Sequence, residues 1–238
     1  MAILFISDLH LSPERPEVTR AFLRFLEEQA TTAKALFVLG DLFEAWIGDD
    51  DTCPTGIEVQ TALKQLTDKG VVLFFQHGNR DFFIGKRFCK ATGATLLSDE
   101  HIVEYADQTL LVMHGDTLCT DDVDYIRFRK KIRHPIIKSL LLLLPLKFRQ
   151  KLANNMRARS KAANANKPSA IMDVNRDAVE AVMSKHQVKT LIHGHTHRPD
   201  RHQHAKGERI VLGDWHDVGW YALWDTNGID LKSFIIEM

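Results

Sequence analysis

Cysteine is scarce and unpatterned in this 238-residue chain. Cys53, Cys89 and Cys119 are odd in number and form no C-x-x-C pair, which argues against a disulfide framework and a thiolate metal site and fits a reducing compartment. Long apolar runs are also missing. None reaches the roughly 18–20 residues needed to cross a bilayer, and no basic segment precedes the first apolar run, where Asp8 arrives too early for a secretory signal. A cytoplasmic location is expected. Net charge is absent as well, 31 Lys or Arg balancing 31 Asp or Glu, so bulk charge names no partner. Solenoid repeats, low-complexity tracts and a flexible interdomain linker are lacking. That leaves one domain over residues 1–238, or one domain carrying an insertion, long enough to bury a substantial core.

What the chain does have is a recurring unit. Residues 3–6, 35–39, 71–75, 110–113 and 190–192 are short apolar runs that read as buried strands. Each finishes in a cluster drawn from Asp, Asn and His: Asp8-Leu9-His10, Gly40-Asp41, His77-Gly78-Asn79-Arg80-Asp81, His114-Gly115-Asp116 and His193-Gly194-His195-Thr196-His197. Glycine adjoins all but the first. Pro16 is expected to open a helix that buries Val18, Phe22, Phe25 and Leu26, and a second helix is expected over about 56–69, capped by Gly70. Strand and helix therefore alternate as in a layered α/β sheet, in which ligands collect beyond the carboxyl ends of the strands. After His197, residues 208–212, 219–223 and 229–236 read as antiparallel strands with turns at Asp214 and Asn227-Gly228.

Spacing isolates one exceptional segment. The intervals from Asp8 to Asp41, Asn79 and His114 are 33, 38 and 35 residues, but 81 residues separate His114 from His195. The surplus corresponds to an insertion over 122–168. Between Tyr125 and Lys167 it holds 13 Lys or Arg and no Asp or Glu, and it contains the run Leu140-Leu141-Leu142-Leu143-Leu144. Solvated helix faces normally mix signs. A surface of one sign beside a leucine ridge suits an anionic membrane face or a phosphate-bearing lipid, and charge reversal at Lys138, Lys147 and Arg149 is expected to weaken such an association. A nucleic-acid backbone fits less well, because the leucines have no use there and stacking aromatics are few.

Taken together, Asp8, His10, Asp41, Asn79, His114, His195 and His197 supply seven nitrogen or oxygen donors and no thiolate. That exceeds the needs of one ion and suits two hard or borderline cations with Asp41 shared. Two such ions roughly 3.5–4 Å apart acidify a water and hold a phosphoryl oxygen. The chemistry expected is hydrolysis of a phosphoester or phosphoanhydride.

The ordered set Asp8-x-His10, Gly40-Asp41, Gly78-Asn79, His114 and Gly194-His195-x-His197 resembles the calcineurin-like metallophosphoesterase superfamily across the chain outside the insertion. The resemblance implies a four-layer αββα sandwich with the insertion as a helical lid. It also implies that Asp8, His10, Asp41 and His197 hold one metal, and Asp41, Asn79, His114 and His195 the other. Many members carry a histidine after the Asn, where this chain has Arg80. A guanidinium stabilises phosphate but donates no proton to a leaving group, so the leaving group should be a good one.

Gly78-Asn79-Arg80-Asp81-Phe82, the loop Trp46-Ile47-Gly48-Asp49-Asp50, His114 to Asp122 and Met156-Arg157-x-Arg159-Ser160-Lys161-x-x-Asn164 are similar to the UDP-2,3-diacylglucosamine diphosphatase branch of lipid A biosynthesis. That branch implies two Mn²⁺ ions and catalysis involving Asp41, Asn79, Arg80 and His195. It implies substrate contacts from Asn79, Arg80, Asp122, Tyr125, Arg157, Ser160, Asn164, Lys167 and His195. Expected partners are the lipid nucleotide and the anionic cytoplasmic face of the inner membrane, with no nucleic acid.

Overall fold

The first strand, β1 (Ile3–Ile6), is buried at all four positions, which requires a layer against each of its faces. The computed structural model describes residues 1–165 and 173–237, with backbone alone over 161–165. It supplies those layers as two stacked sheets with helices outside them. The first sheet has the order β11 (Gly228–Ile235), β10 (Val218–Asp225), β1, β2 (Ala35–Val38), β3 (Val72–Phe75) and β4 (Thr95–Leu96). The second has the order β5 (His101–Tyr105), β6 (Gln108–Met113), β7 (Thr190–His193), β9 (Gly207–Val211) and β8 (Asp200–His204).

Side-chain alternation along the strands divides the interior into three cores. Ile3, Phe5, Ala35, Phe37 and Trp224 meet Leu110, Val112, Ile192 and Ile210 of the second sheet. Leu4, Ile6, Leu36, Val38 and Phe75 point the other way, onto Val18, Phe22 and Phe25 of α1 (Pro16–Glu28) and Val59 and Leu63 of α2 (Pro54–Asp68). On the far side, Leu111, Met113 and Leu191 pack on Val179, Val182 and Met183, which belong to the helix Arg176–His186. The layers are therefore αββα, as the resemblance implied. Both helix starts carry proline, and α2 begins two residues ahead of its expected start.

The structure departs from the sequence reading in one pairing and in several unexpected elements. The strand expected over 208–212 pairs parallel with β7 and antiparallel only with β8, so it is not part of a purely antiparallel closure. Strands β10 and β11 do form the expected hairpin, with Asp225 opposite Gly228. The helix α3 (Lys86–Thr92), the strands β4, β5 and β8, and the helix Arg176–His186 had no counterpart in that reading.

The described part of the insertion is three helices joined by short turns, α4 (Val123–Ile132), α5 (Pro135–Leu142) and α6 (Leu146–Ala165), and α7 (Arg176–His186) comes after it. Its stem is pinched. Asn175 N–H donates to the Leu118 carbonyl at 2.9 Å, and Asn175 Nδ2 donates to Asp121 at 3.1 Å. Neither α4 nor α5 buries a side chain, and Ile136, Leu140, Leu143 and Phe148 are exposed.

The cations are only in part a free surface. Arg129 and Arg133 reach Asp99 and Asp116, Arg149 pairs with Asp50, and Arg157 pairs with Glu44. Arg149 is buried and also donates to the Ile47 and Leu144 carbonyls, while Lys138 donates to the Phe82 carbonyl. The expectation that Lys138 and Arg149 present charge to a membrane is thus corrected: both fasten the insertion to the body. Lys147 is exposed.

Candidate metal centre

Parallel register brings the donors together. Strands β1, β2 and β3 run abreast, Ile6 beside Val38 and Val38 beside Phe75, and Met113 of β6 stands beside His193 of β7. Beyond the sheets the loops continue as a ladder, with Asp8 N–H donating to Gly40 at 3.1 Å, His10 N–H to Asp41 at 3.0 Å and Gly194 N–H to His114 at 2.9 Å.

Glycine adjoins the clusters because these loops nearly touch. A Cβ on Gly78 would collide with Asp41 Oδ1, and one on Gly194 with Asp8 Oδ2 and Ser7 Oγ. The backbone is also bent into an unusual region. Asp8, His10, Asp41, His195 and His197 all have positive φ, between 50° and 70°. A left-handed conformation costs a non-glycine residue about 1–2 kcal/mol, and such strain persists where surrounding structure holds it for a function. Asp-x-His and His-x-His are each two left-handed residues flanking one ordinary one.

The seven predicted donors converge. Asp41 Oδ2 lies 3.9 Å from His10 Nε2 and 3.8 Å from His114 Nε2. His197 Nε2 lies 3.3 Å from both His10 Nε2 and Asp8 Oδ1. Asn79 Oδ1 is 3.0 Å from His114 Nε2 and 3.0 Å from His195 Nδ1. Donor atoms of Asp8, His10 and His197 form one compact group, and those of Asp8, Asp41 and His114 a second.

Supporting contacts aim the donors. Asp8 Oδ2 accepts from Ser7 Oγ at 2.6 Å and from His195 N–H at 2.8 Å, and Asp41 Oδ1 accepts from Arg80 N–H at 2.8 Å. His114 Nδ1 lies 2.9 Å from the Leu39 carbonyl, which fixes that nitrogen as the N–H and leaves Nε2 as a lone pair. Glu44 lies behind His10 Nδ1 at 3.2 Å and Asp214 behind His197 Nδ1 at 3.5 Å. Asp116 accepts from Tyr125 Oη and Arg129 Nε, both at 2.6 Å.

The electrostatics call for cations. Asp8 and Asp41 are fully or almost fully buried, and Asp8 Oδ1 makes no regular hydrogen bond. Burying carboxylates this closely is costly without positive charge between them. Burial and the Asp41 charge push Asp81 up to about 7. Burial works against a proton on His197, yet Asp214 and Asp8 hold it up at about 10, the response of carboxylates that lack another counter-charge. Burial, aided by His114, lowers His195 to about 4, so it is a neutral imidazole able to ligate. Hard carboxylate and amide oxygens with imidazole nitrogens fit divalent cations of the borderline class.

The sequence profile of the calcineurin-like phosphoesterase family matches residues 1–199. The chain belongs to that family. Among its relatives, a UDP-2,3-diacylglucosamine hydrolase from Enterobacter sp. (strain 638) is 54% identical over 98% of this chain and 99% of its own. A protein of the same name from Escherichia coli O7:K1 is 50% identical with the same coverage. A solved archaeal phosphodiesterase shares the fold, with a TM-score of 0.50 at 14% identity over 99% of both chains.

The predicted substrate contacts of this phosphoesterase are more dispersed. Tyr125 stacks on His195, ring centroids 6.1 Å apart, but its hydroxyl is committed to Asp116. Arg80 Nε is buried with no hydrogen-bond partner among the described residues. Arg157 donates to Glu44 and Asn154, Asp122 accepts from Tyr125 N–H at the start of α4, and Ser160 is exposed on α6. The Asn164 side chain and Lys167 lie outside the described residues. Glu44 and Asp214 went unassigned in the sequence because no fixed spacing marks either, whereas Asp116 belongs to a strand-end cluster but has no role assigned there.

Proposed function

We propose that this phosphoesterase hydrolyses the pyrophosphate bond of UDP-2,3-diacylglucosamine, releasing UMP and 2,3-diacylglucosamine 1-phosphate, with two Mn²⁺ ions in the donor cluster. The observation that carries the reading is the joining, in one chain, of a phosphoesterase donor cluster to an insertion that exposes leucines. It is supported by relatives of that name over nearly the whole chain. The enzyme is a metal-dependent hydrolase, and the identity and number of the ions are part of the proposal.

Asp8, His10, Asp41 and His197 would hold one ion, and Asp41, Asn79, His114 and His195 the second. Bound cations supply an acidified water and charge neutralisation at the phosphoryl group. Arg80 offers a guanidinium whose Nε has no partner among the described residues, suited to the charge that builds on the phosphate. Asp122, Tyr125, Arg157, Ser160, Asn164 and Lys167 are assigned to the glucosamine, its amides and the phosphates. Neutral His195 directs a ring nitrogen at the cluster under the Tyr125 ring, which shields that side from water. No side chain is assigned as acid for the leaving group, in keeping with a phosphate that leaves as an anion. The exposed ridge of Ile136, Leu140, Leu143 and Phe148 is assigned to acyl chains and the inner-membrane surface, with the enzyme peripheral on the cytoplasmic side.

Hydrolysis of the lipid nucleotide in ¹⁸O-labelled water tests the reaction. Label in UMP is the expected result, because water attacks the α-phosphorus. Label in the sugar phosphate, or faster cleavage of single-stranded DNA than of the lipid nucleotide, would overturn it.

A further inference from the structure

Backbone hydrogen bonds beyond the first sheet set Glu44 against His10. Leu11 N–H donates to Leu42 at 2.9 Å and Glu44 N–H returns to Leu11 at 3.1 Å, so the two loops run in parallel register. Glu44 Oε2 consequently lies 3.2 Å from His10 Nδ1, which is buried and makes no regular hydrogen bond of its own. The other carboxylate oxygen, Oε1, accepts from Arg157 Nη1 at 3.4 Å. Arg157 lies on α6, 113 residues further along the chain. His10 in turn directs Nε2 at Asp41 and His197. A continuous polar path therefore joins the donor cluster to the insertion.

We propose that Glu44 is a positioning residue that couples the metal centre to the inserted helices. It holds the His10 proton on Nδ1, leaving Nε2 as a lone pair for the ion, and Arg157 holds it in turn. The inference rests on His10 being a metal ligand, as assigned above. A carboxylate behind a ligating imidazole fixes its tautomer and ring angle and strengthens it as a donor. Here that carboxylate is shared with a cation on a separate element. Docking of α6 and occupation of the His10 site then favour one another, and linkage makes the effect reciprocal.

The test uses the full chain and Mn²⁺ alone, with no lipid nucleotide. In calorimetric titration the unaltered protein is expected to bind two ions. Glu44→Gln should weaken one of them about 10–100-fold and leave the other. Arg157→Gln, which touches none of the seven donors, should weaken the same ion several-fold, and the double variant should fall short of the product of the two effects. Hydrogen exchange over residues 146–160 should slow on adding Mn²⁺ in the unaltered protein and not in Glu44→Gln. An unchanged Mn²⁺ affinity in Glu44→Gln alongside a lower melting temperature would reduce Glu44 to a packing role and overturn the coupling alone. Failure of the unaltered protein to bind divalent ions would overturn both this inference and the proposed function.

Discussion

Asp41 is fixed on one oxygen by Arg80 N–H and presents the other between His10 and His114. Asp41→Asn keeps the shape and removes the shared charge, so hydrolysis is expected to fall by about 10²–10³-fold with the fold intact; steady-state rates beside a circular dichroism melt check this. Asp116 carries a different burden. Burial opposes its charge, but His114, Arg129 and Arg133 hold the carboxyl well below its ordinary value of 3.8. The folded state therefore binds fewer protons than the unfolded one. The stabilisation is complete above about pH 5 and is lost as pH falls below the unfolded value toward the folded one. Asp116→Asn should lose about 3 kcal/mol at pH 7 and show a flatter acid limb, measured by urea unfolding at pH 7 and at about pH 2.5, below the unfolded value. The glycines are as constrained as the ligands. Gly194→Ala drives a methyl into Asp8, and the expected outcome is weakened Mn²⁺ binding on titration with the metal alone.

The elements show why some of the structure could be read in advance. Strands β1, β2 and β7 were legible because both faces are buried, which produces an unbroken apolar run ending abruptly in polar donors. Strand β8, Asp-Arg-His-Gln-His, lies at a sheet edge and buries none of its residues, so its sequence carries no apolar signal. The insertion was legible as helices and misread as a free cationic face, because Arg149 finds Asp50 across 99 residues of chain. That latch is asymmetric: Arg149 is 5% exposed and Asp50 is 50% exposed. Asp50→Ala leaves a buried guanidinium short of its counter-ion and should cost about 2–4 kcal/mol, whereas Arg149→Met leaves a hydrated carboxylate and should cost less, about 1–2 kcal/mol. Chemical denaturation of the two variants tests the order.

At the scale of the whole molecule, the acidic body and the basic insertion fit one another before either meets a substrate. Thirteen cations on the insertion looked like a surface prepared for an outside anion. Four of the arginines already face body carboxylates, while Arg127, Lys130, Lys131, Lys147, Lys151 and Arg159 stay exposed together with Ile136, Leu140, Leu143 and Phe148. Vesicle association should accordingly depend on the exposed hydrophobic residues together with the exposed cations. Replacing Leu143 and Phe148 by Glu is expected to abolish sedimentation with anionic vesicles, with Lys147→Glu reducing it; unaltered sedimentation in the double variant would remove the membrane role.

The pinched stem of the insertion has a consequence of its own. Where Asn175 is tied to Leu118 and Asp121, the chain leaves the body and re-enters it at nearly one point. The insertion is thus a module grafted on a single short neck, and the two sheets close their cores without a side chain from α4 or α5. A chain that replaced the module with a brief glycine-serine bridge would retain the scaffold of a general phosphodiesterase. On the proposed function, exchange of the module with the donors left untouched would change the substrate and leave the hydrolytic chemistry in place.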